Sequence, residues 1–182
     1  MIPPTELTFT PPEFKEPGFF EASKPTVVIE TPDNPAGVVD ASESVNEAGL
    51  PGRNDGEPAG SGEIADGNPF NNSDSSETNT GTIVFTAPGG LQSVTVDGVA
   101  ITAVGQTIAG QFGTMTITSI NLATGQIGYS YTLADNTSGD NTQDLFSVVV
   151  TDKGGSTATG SLTVHIVDDV PTARTTPILP TS

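Results

Sequence analysis

The side chains best suited to chemistry in this sequence are carboxylates placed where predicted strands end. Asp168 and Asp169 follow a run that alternates polar and apolar residues, and they precede Val170-Pro171, where the proline restricts the backbone as the chain leaves its sheet. Calcium takes about six to eight oxygen ligands from carboxylates, backbone carbonyls and water. We therefore predict that this ending holds calcium and stiffens a joint between β-domains.

Other loops, or a following domain, would have to complete the coordination. Adjacent strand residues point to opposite faces, so Asp168 and Asp169 need not share one ion. Loops of a β-sandwich cluster at its two ends, and the predicted partner ligands there are Glu47, Asp135, Asp140 and Asp144. The plain alternative is a set of solvated loop residues that protect sheet edges from aggregation. Neither an EF-hand loop nor a nonapeptide GGxGxD repeat is present in the sequence.

Residues for other chemistries are sparse. His165 is the one histidine and cysteine is absent, which argues against structural zinc and against nucleophilic catalysis. Glycoside hydrolysis would call for aromatic sugar platforms, yet the chain has no tryptophan and only two tyrosines, Tyr129 and Tyr131, which we expect to pack in a core. Gly89-Gly90 is interpreted as a turn. We expect no enzymatic activity.

The charge balance restricts the partners. Asp and Glu number 22 against 5 Lys and Arg, a formal net charge of −17, which argues against nucleic acid and anionic membrane surfaces. The charge serves solubility, or it is neutralised by a divalent cation. Without cysteine, a bound metal is one substitute for a disulfide. The sequence has neither a signal-peptide pattern nor an apolar run long enough to span a membrane.

The amino-acid composition along the chain divides it into three parts. Residues 1–25 carry six prolines and are interpreted as a linker, or as an extended peptide that packs along the next domain. Residues 26–173 form the predicted β-domain, interrupted by a long acidic loop over 51–80 that is disordered or wraps a ligand. Residues 174–182 form a C-terminal tail or linker.

Short runs rich in β-branched residues, separated by turn residues, predict an all-β sandwich with no helix. Their spacing gives about seven to nine strands, a range that follows from strands every 8–12 residues or so. The runs lie at 26–30, 45–50, 82–86, 91–96, 99–104, 112–120, 126–133, 145–151 and 157–167.

Three segments resemble a known family: GTIVFTAPGGLQSVTVDGVAI, then GTMTITSINLATGQIGYSYTLAD, then DLFSVVVTDKGGSTATGSLTVHIVDDVPTA. Together they look like one repeat of the bacterial Ig-like domains of type I-secreted RTX adhesins, over about Val45–Ala173. The resemblance implies an Ig-like antiparallel β-sandwich in a tandem array on the Gram-negative cell surface, stiffened by calcium at domain junctions. One departure is Asp152-Lys153-Gly154-Gly155-Ser156, where relatives often have Asp-Ala-Asp-Gly-Asp, which puts a metal site at that turn in doubt.

The expected function is therefore a calcium-stabilised extender of an extracellular adhesin, which projects a ligand-binding region for cell adhesion and biofilm formation. Its expected partners are neighbouring repeats of the same polypeptide, and the domain itself is expected to be monomeric. The proline-rich start has no counterpart in an ordinary repeat, so we expect a position near the membrane-proximal end of the array. The alternative is a β-sandwich module that binds a peptide or carbohydrate through loop 51–80.

Overall fold

A computed structural model describes residues 23–50, 75–135, 137 and 141–168. Within these ranges the chain forms ten β-strands and no helix. The strands are β1 Thr26–Glu30, β2 Asp40–Asn46, β3 Thr78–Thr86, β4 Leu91–Val96, β5 Val99–Ala100, β6 Thr107–Ala109, β7 Gly113–Asn121, β8 Gln126–Leu133, β9 Gln143–Asp152 and β10 Thr157–Val167. The predicted all-β class is confirmed.

The strands form two five-stranded sheets that pack as a sandwich. One sheet has the order β1-β3-β8-β7-β6 and the other the order β2-β10-β9-β4-β5. Alternate residues of each strand face inward and form one core, which contains Tyr129, Tyr131 and Phe146 among its largest members. Burial of both tyrosines agrees with the core packing predicted for them. His165 is exposed on the outer face, as its place in the alternation of β10 predicts.

The sandwich is not purely antiparallel, because β2 pairs with β10 in parallel. β1 and β2 are successive edge strands of different sheets. β1 pairs with β3 in one sheet, and after a connection β2 joins the other sheet. Since β3 runs opposite to β10, a segment that keeps its direction is antiparallel to the first and parallel to the second. The predicted antiparallel sandwich therefore has one parallel pair, at this edge.

Several strand boundaries differ from the sequence prediction. The strand predicted over 45–50 is β2 at Asp40–Asn46, and Glu47 lies after it in a turn closed by the Leu50 N–H donating to the Glu47 carbonyl at 3.0 Å. The run predicted at 99–104 is a strand only over β5, and β6 was not predicted. Loop 51–80 ends earlier than predicted because β3 begins at Thr78. Outside the described residues lie 1–22 of the predicted linker over 1–25, 51–74 of that loop, and the chain after 168 with the predicted tail over 174–182.

The chain enters and leaves the described domain at opposite ends. Thr26 at the start of β1 pairs with Thr86, the last residue of β3. Val167 at the close of β10 pairs with Asn46, whose N–H donates to the carbonyl of Ser76 just ahead of β3. β3 has nine residues and separates these points by roughly 26 Å at about 3.3 Å per residue. We call the Thr26 side the entry end and the Val167 side the exit end.

Candidate metal site and buried carboxylates

Glu47 is the most completely enclosed acidic residue at the exit end. Its side chain is 0% exposed, and its N–H donates to the Val167 carbonyl at 3.0 Å. Carboxylate atom Oε1 accepts from the backbone N–H of Thr137 at 2.5 Å and from the hydroxyl of Thr137 at 2.6 Å. The other oxygen, Oε2, is buried and has no hydrogen-bond partner. An oxygen of this kind is costly to bury as part of a charged group unless something compensates it.

Glu77 places a second such oxygen at the same end. Its Oε1 accepts from the Thr78 hydroxyl at 3.3 Å, whereas Oε2 is buried without a hydrogen-bond partner. The Glu77 side chain lies against the turn that follows Glu47, because a Cβ on Gly49 would be only 2.6 Å from Glu77 Oε2. A side chain at position 49 would therefore displace Glu77. The two glutamates thus flank one turn.

Sequence reasoning assigned Glu77 to the long acidic loop and did not single it out. The signal that was available is its position directly before the threonine-rich run Thr78–Thr86, where a strand begins at a sandwich end. The Glu77 carbonyl accepts the N–H of Leu133 at 3.0 Å, so the last residue of β8 also meets this end. Glu77 is therefore tied to β8 as well as to the turn after Glu47.

Oxygen atoms of other groups also lie at the exit end. The hydroxyls of Thr137 and Thr142 lie 2.8 Å apart, and the Thr142 carbonyl accepts the Ile166 N–H at 3.0 Å. Asp168 directly follows the end of β10 and is half-buried. Hydroxyl, carbonyl and carboxylate oxygens are the ligands that calcium prefers. The exit end therefore supplies the appropriate donor types.

The charge at the exit end is not balanced by lysine or arginine of the described part. Lys24 and Lys153 are its only such residues. Lys24 precedes β1 at the entry end, and the Lys153 N–H donates to the Gly90 carbonyl at 2.8 Å in the turns of that same end. The exit-end carboxylates and these two lysines thus lie at opposite ends of the sandwich.

The remaining predicted metal ligands do not all converge. Asp135 is exposed two residues after β8, at the exit end, and Asp140 and Asp169 lie outside the described residues. Across the ranges that the structure describes, no group of three or more His, Cys, Asp or Glu side chains is arranged to hold a metal ion. A complete coordination shell would therefore use backbone, hydroxyl or water oxygens beside the carboxylates.

Asp144 has a different environment. It is 2% exposed, and its Oδ1 accepts the Gln111 N–H at 2.8 Å while its Oδ2 accepts the Gly113 N–H at 3.0 Å and the Tyr131 hydroxyl at 2.7 Å. The Phe112 N–H lies 3.2 Å from both oxygens. These donors fasten β9 to the connection between β6 and β7. Asp144 therefore has a structural role, which its prediction as a calcium ligand did not include.

Glu43 is a buried acid that sequence reasoning missed. It is 0% exposed at an inward position of β2, and its Oε2 accepts the Tyr129 hydroxyl at 3.2 Å while Oε1 has no hydrogen-bond partner. Burial raises the pKa of Glu43 from 4.5 to about 7, the Tyr129 hydrogen bond lowers it and the charge of Asp33 raises it. The available signal was the alternation in Asp40–Asn46, which puts Glu43 on the same face as Ala41 and Val45.

The turn that departs from the resembling family closes on itself. Asp152 is buried, and its Oδ1 accepts the Ser156 N–H at 2.8 Å while its carbonyl accepts the Gly155 N–H at 3.0 Å. Gly155 has a φ of 83°, a left-handed conformation that favours glycine. Asp152 therefore serves here as the acceptor that holds the turn together.

Comparisons with models of known protein families and with curated protein sequences give no match. The resemblance to Ig-like adhesin repeats thus remains a prediction from the sequence segments quoted above. Within the described residues, no helix has the length and apolarity needed to cross a membrane.

Proposed function

We propose that this domain is a calcium-stabilised structural extender of a bacterial cell-surface adhesin, which projects a ligand-binding region for adhesion and biofilm formation. The observation that carries the calcium part is the buried Glu47 Oε2, which has no hydrogen-bond partner at an end without lysine or arginine from the described part. A cation would compensate this oxygen, and the oxygen-only donors nearby favour a hard ion such as calcium.

The residues that would hold the ion are Glu47 and Glu77, with Asp168 as the link to whatever follows. Calcium would neutralise their carboxylates and join the turn after β2 to the starts and ends of neighbouring strands. Because β10 ends at this point, an ion here would also restrict the direction in which the chain continues. Such an ion would stiffen the exit end of the domain.

The path of the chain supports the extender part of the proposal. Entry and exit lie at opposite ends of the sandwich, so domains joined in series would add length along the strand direction. The partners are then neighbouring repeats of the same polypeptide, and the setting is the extracellular surface of a bacterial cell. A monomeric domain suffices for this purpose, and the proposal includes no catalytic activity.

The calcium claim is tested by differential scanning calorimetry of the 182-residue chain in excess chelator and then in calcium. Binding at a hundredfold excess over Kd stabilises by about 2.7 kcal/mol, which for this size raises Tm by roughly 5–10 °C. Glu47→Gln should remove most of that rise, and the matched variant Glu30→Gln, on the outer face of β1, should keep it. An unchanged wild-type Tm would overturn the claim, whereas an undiminished rise in Glu47→Gln would exclude this site.

A further inference from the structure

The core of the sandwich holds another carboxylate with too few donors, that of Glu43, which is four residues before Glu47 in the sequence. Glu43 belongs to β2, and its one hydrogen-bond donor, the Tyr129 hydroxyl, comes from β8 of the opposite sheet. The bond is long at 3.2 Å, and the second oxygen has no partner. An ionised carboxylate accepts only, with about four lone-pair sites. One donor therefore leaves most of its acceptor capacity unsatisfied in a dry environment.

Asp144 shows what this same fold does when it buries a carboxylate with full compensation. Three consecutive backbone N–H groups, of residues 111–113, and the Tyr131 hydroxyl all point at its two oxygens. Within the described part of the chain, no backbone N–H donates to the Glu43 carboxylate. Since burial of a charge without donors costs far more than burial of a neutral carboxyl, the geometry at Glu43 suits the protonated form.

Among the described residues, the groups that face Glu43 include no lysine or arginine. The connection before β2 contributes Asp33, whose negative charge raises the pKa of Glu43, whereas Glu30 at the end of β1 is on the outer face of its sheet. From the opposite sheet come Tyr129 and Tyr131, and both hydroxyl pKa values are raised, chiefly by burial and further by the neighbouring carboxylates. His165 of β10 is beside Ser44 in the register, on the outer face, and is exposed. Every charge near Glu43 in the described residues thus opposes its ionisation.

We propose that Glu43 is a proton-linked switch of domain stability: the chain folds with Glu43 as a neutral carboxyl between the sheets, and ionisation weakens the pairing of the sheets at β2. This inference does not depend on calcium or on the extender function. It concerns the stability of the sandwich near neutral pH, where a neutral buried carboxyl gains its charge.

The direction of the pH dependence follows from linkage. The pKa of Glu43 is about 7 in the folded chain against an ordinary value of 4.5, so the folded state binds the proton more tightly and stability falls as pH rises between those values. Below about 4.5 the cost is absent, and above about 7 it is complete. The folding equilibrium constant should drop by on the order of 100-fold across this window from Glu43 alone.

The direct test is a ¹³C NMR titration of the Glu43 side-chain carboxyl in the wild-type chain, in chelator so that no metal contributes. We expect a midpoint near 7, well above the ordinary glutamate value of 4.5. Tyr129→Phe should move the midpoint higher still, because the lost hydrogen bond lowers the pKa of Glu43. A Glu43 midpoint at its ordinary value of 4.5 would overturn the proposal.

The second test compares unfolding of the wild type and of Glu43→Gln from pH 5 to pH 8.5, also in chelator. The neutral isostere should lose the part of the pH dependence that Glu43 causes, so its stability relative to wild type rises as pH increases. Glu30→Gln removes one carboxylate from the outer face of β1, so it is the matched control and should not reproduce the change seen in Glu43→Gln. Parallel profiles for wild type and Glu43→Gln would contradict the switch, and the NMR midpoint decides the matter if that variant does not fold.

Discussion

Two buried tyrosine–carboxylate pairs in this core have the same arrangement but differ in the number of other donors to the carboxylate. Tyr129 and Tyr131 stand two residues apart on β8, and each hydroxyl donates to an acid of the opposite sheet, Glu43 or Asp144. Each hydroxyl also lies over a glycine of a neighbouring strand, and a Cβ there would be 2.3 Å from the tyrosine oxygen in both cases. The tyrosine and the glycine are therefore equivalent in the two pairs.

The difference lies in the backbone around the acids. The connection between β6 and β7 donates consecutive backbone N–H groups to the Asp144 carboxylate. In the described residues the Glu43 carboxylate accepts one hydrogen bond, from the Tyr129 hydroxyl. The comparison teaches that burial alone does not define the role of a carboxylate. The number of donors distinguishes Asp144, which four groups hold in place, from Glu43, whose pKa is raised by burial.

The largest effect on stability is expected from loss of the Asp144 carboxylate. Asp144→Asn keeps the shape of the side chain but turns one acceptor oxygen into a donor that faces N–H groups, so we expect a loss of about 3–5 kcal/mol in the free energy of unfolding. Urea unfolding at pH 7 measures it. The control is Asp97→Asn, an exposed turn residue that accepts only the Ser147 N–H at 2.8 Å, with an expected loss below about 1 kcal/mol. Equal losses would break the distinction between anchor and ordinary acceptor.

The shared part of the two pairs is tested by Gly81→Ala and Gly113→Ala. Each added methyl would meet a tyrosine oxygen at 2.3 Å and a backbone carbonyl at 2.6 Å, of Glu30 or Thr132. We expect both variants to lose about 1–3 kcal/mol through overpacking, as measured by thermal unfolding. A neutral or stabilising result at either position would show that the tyrosine moves away freely, and the equivalence of the pairs would fail.

The smallest effects come from the hydroxyls. Tyr131→Phe removes a 2.7 Å bond but leaves Asp144 its backbone donors, and Tyr129→Phe removes the one donor that the described residues give the Glu43 carboxylate. At pH 5 we expect each to cost about 0.5–1.5 kcal/mol. At pH 8 the cost of Tyr129→Phe should increase, because an ionised Glu43 then has no donor from the described residues, whereas Asp144 keeps its backbone donors after Tyr131→Phe. Denaturant titrations at both pH values test this, and a pH-independent Tyr129→Phe would contradict the assignment.

Much of the fold was predictable from local sequence. The alternation in Thr157–Val167 and Gln126–Leu133 gave those strands their observed bounds, because a strand with one buried face needs only a period of two. The predicted bounds of β2 were wrong because Glu43, a charged residue, occupies a buried inward position and interrupts the expected apolar alternation. The two-residue β5 and three-residue β6 are too short for a pattern to indicate.

The candidate site was predicted only in part. Glu47 was singled out as a candidate ligand, and Asp168 falls at a strand exit as its position before Val-Pro indicates. Glu77 was missed because nothing local distinguishes it from the acidic residues before it. Its proximity to the turn after Glu47 is a contact across almost thirty positions of sequence, which depends on the pairing of strands.

The sequence by itself determined the all-β class, the turns and the inward-facing apolar positions, since these follow from backbone preferences and period-two patterning within a few residues. Only the tertiary structure decided what each acid does. Tyr129 and Glu43 are 86 positions apart, and Asp144 receives its N–H groups from residues 31–33 positions away. Desolvation and donor number are properties of an enclosure built by several strands, so no short stretch of sequence contains them.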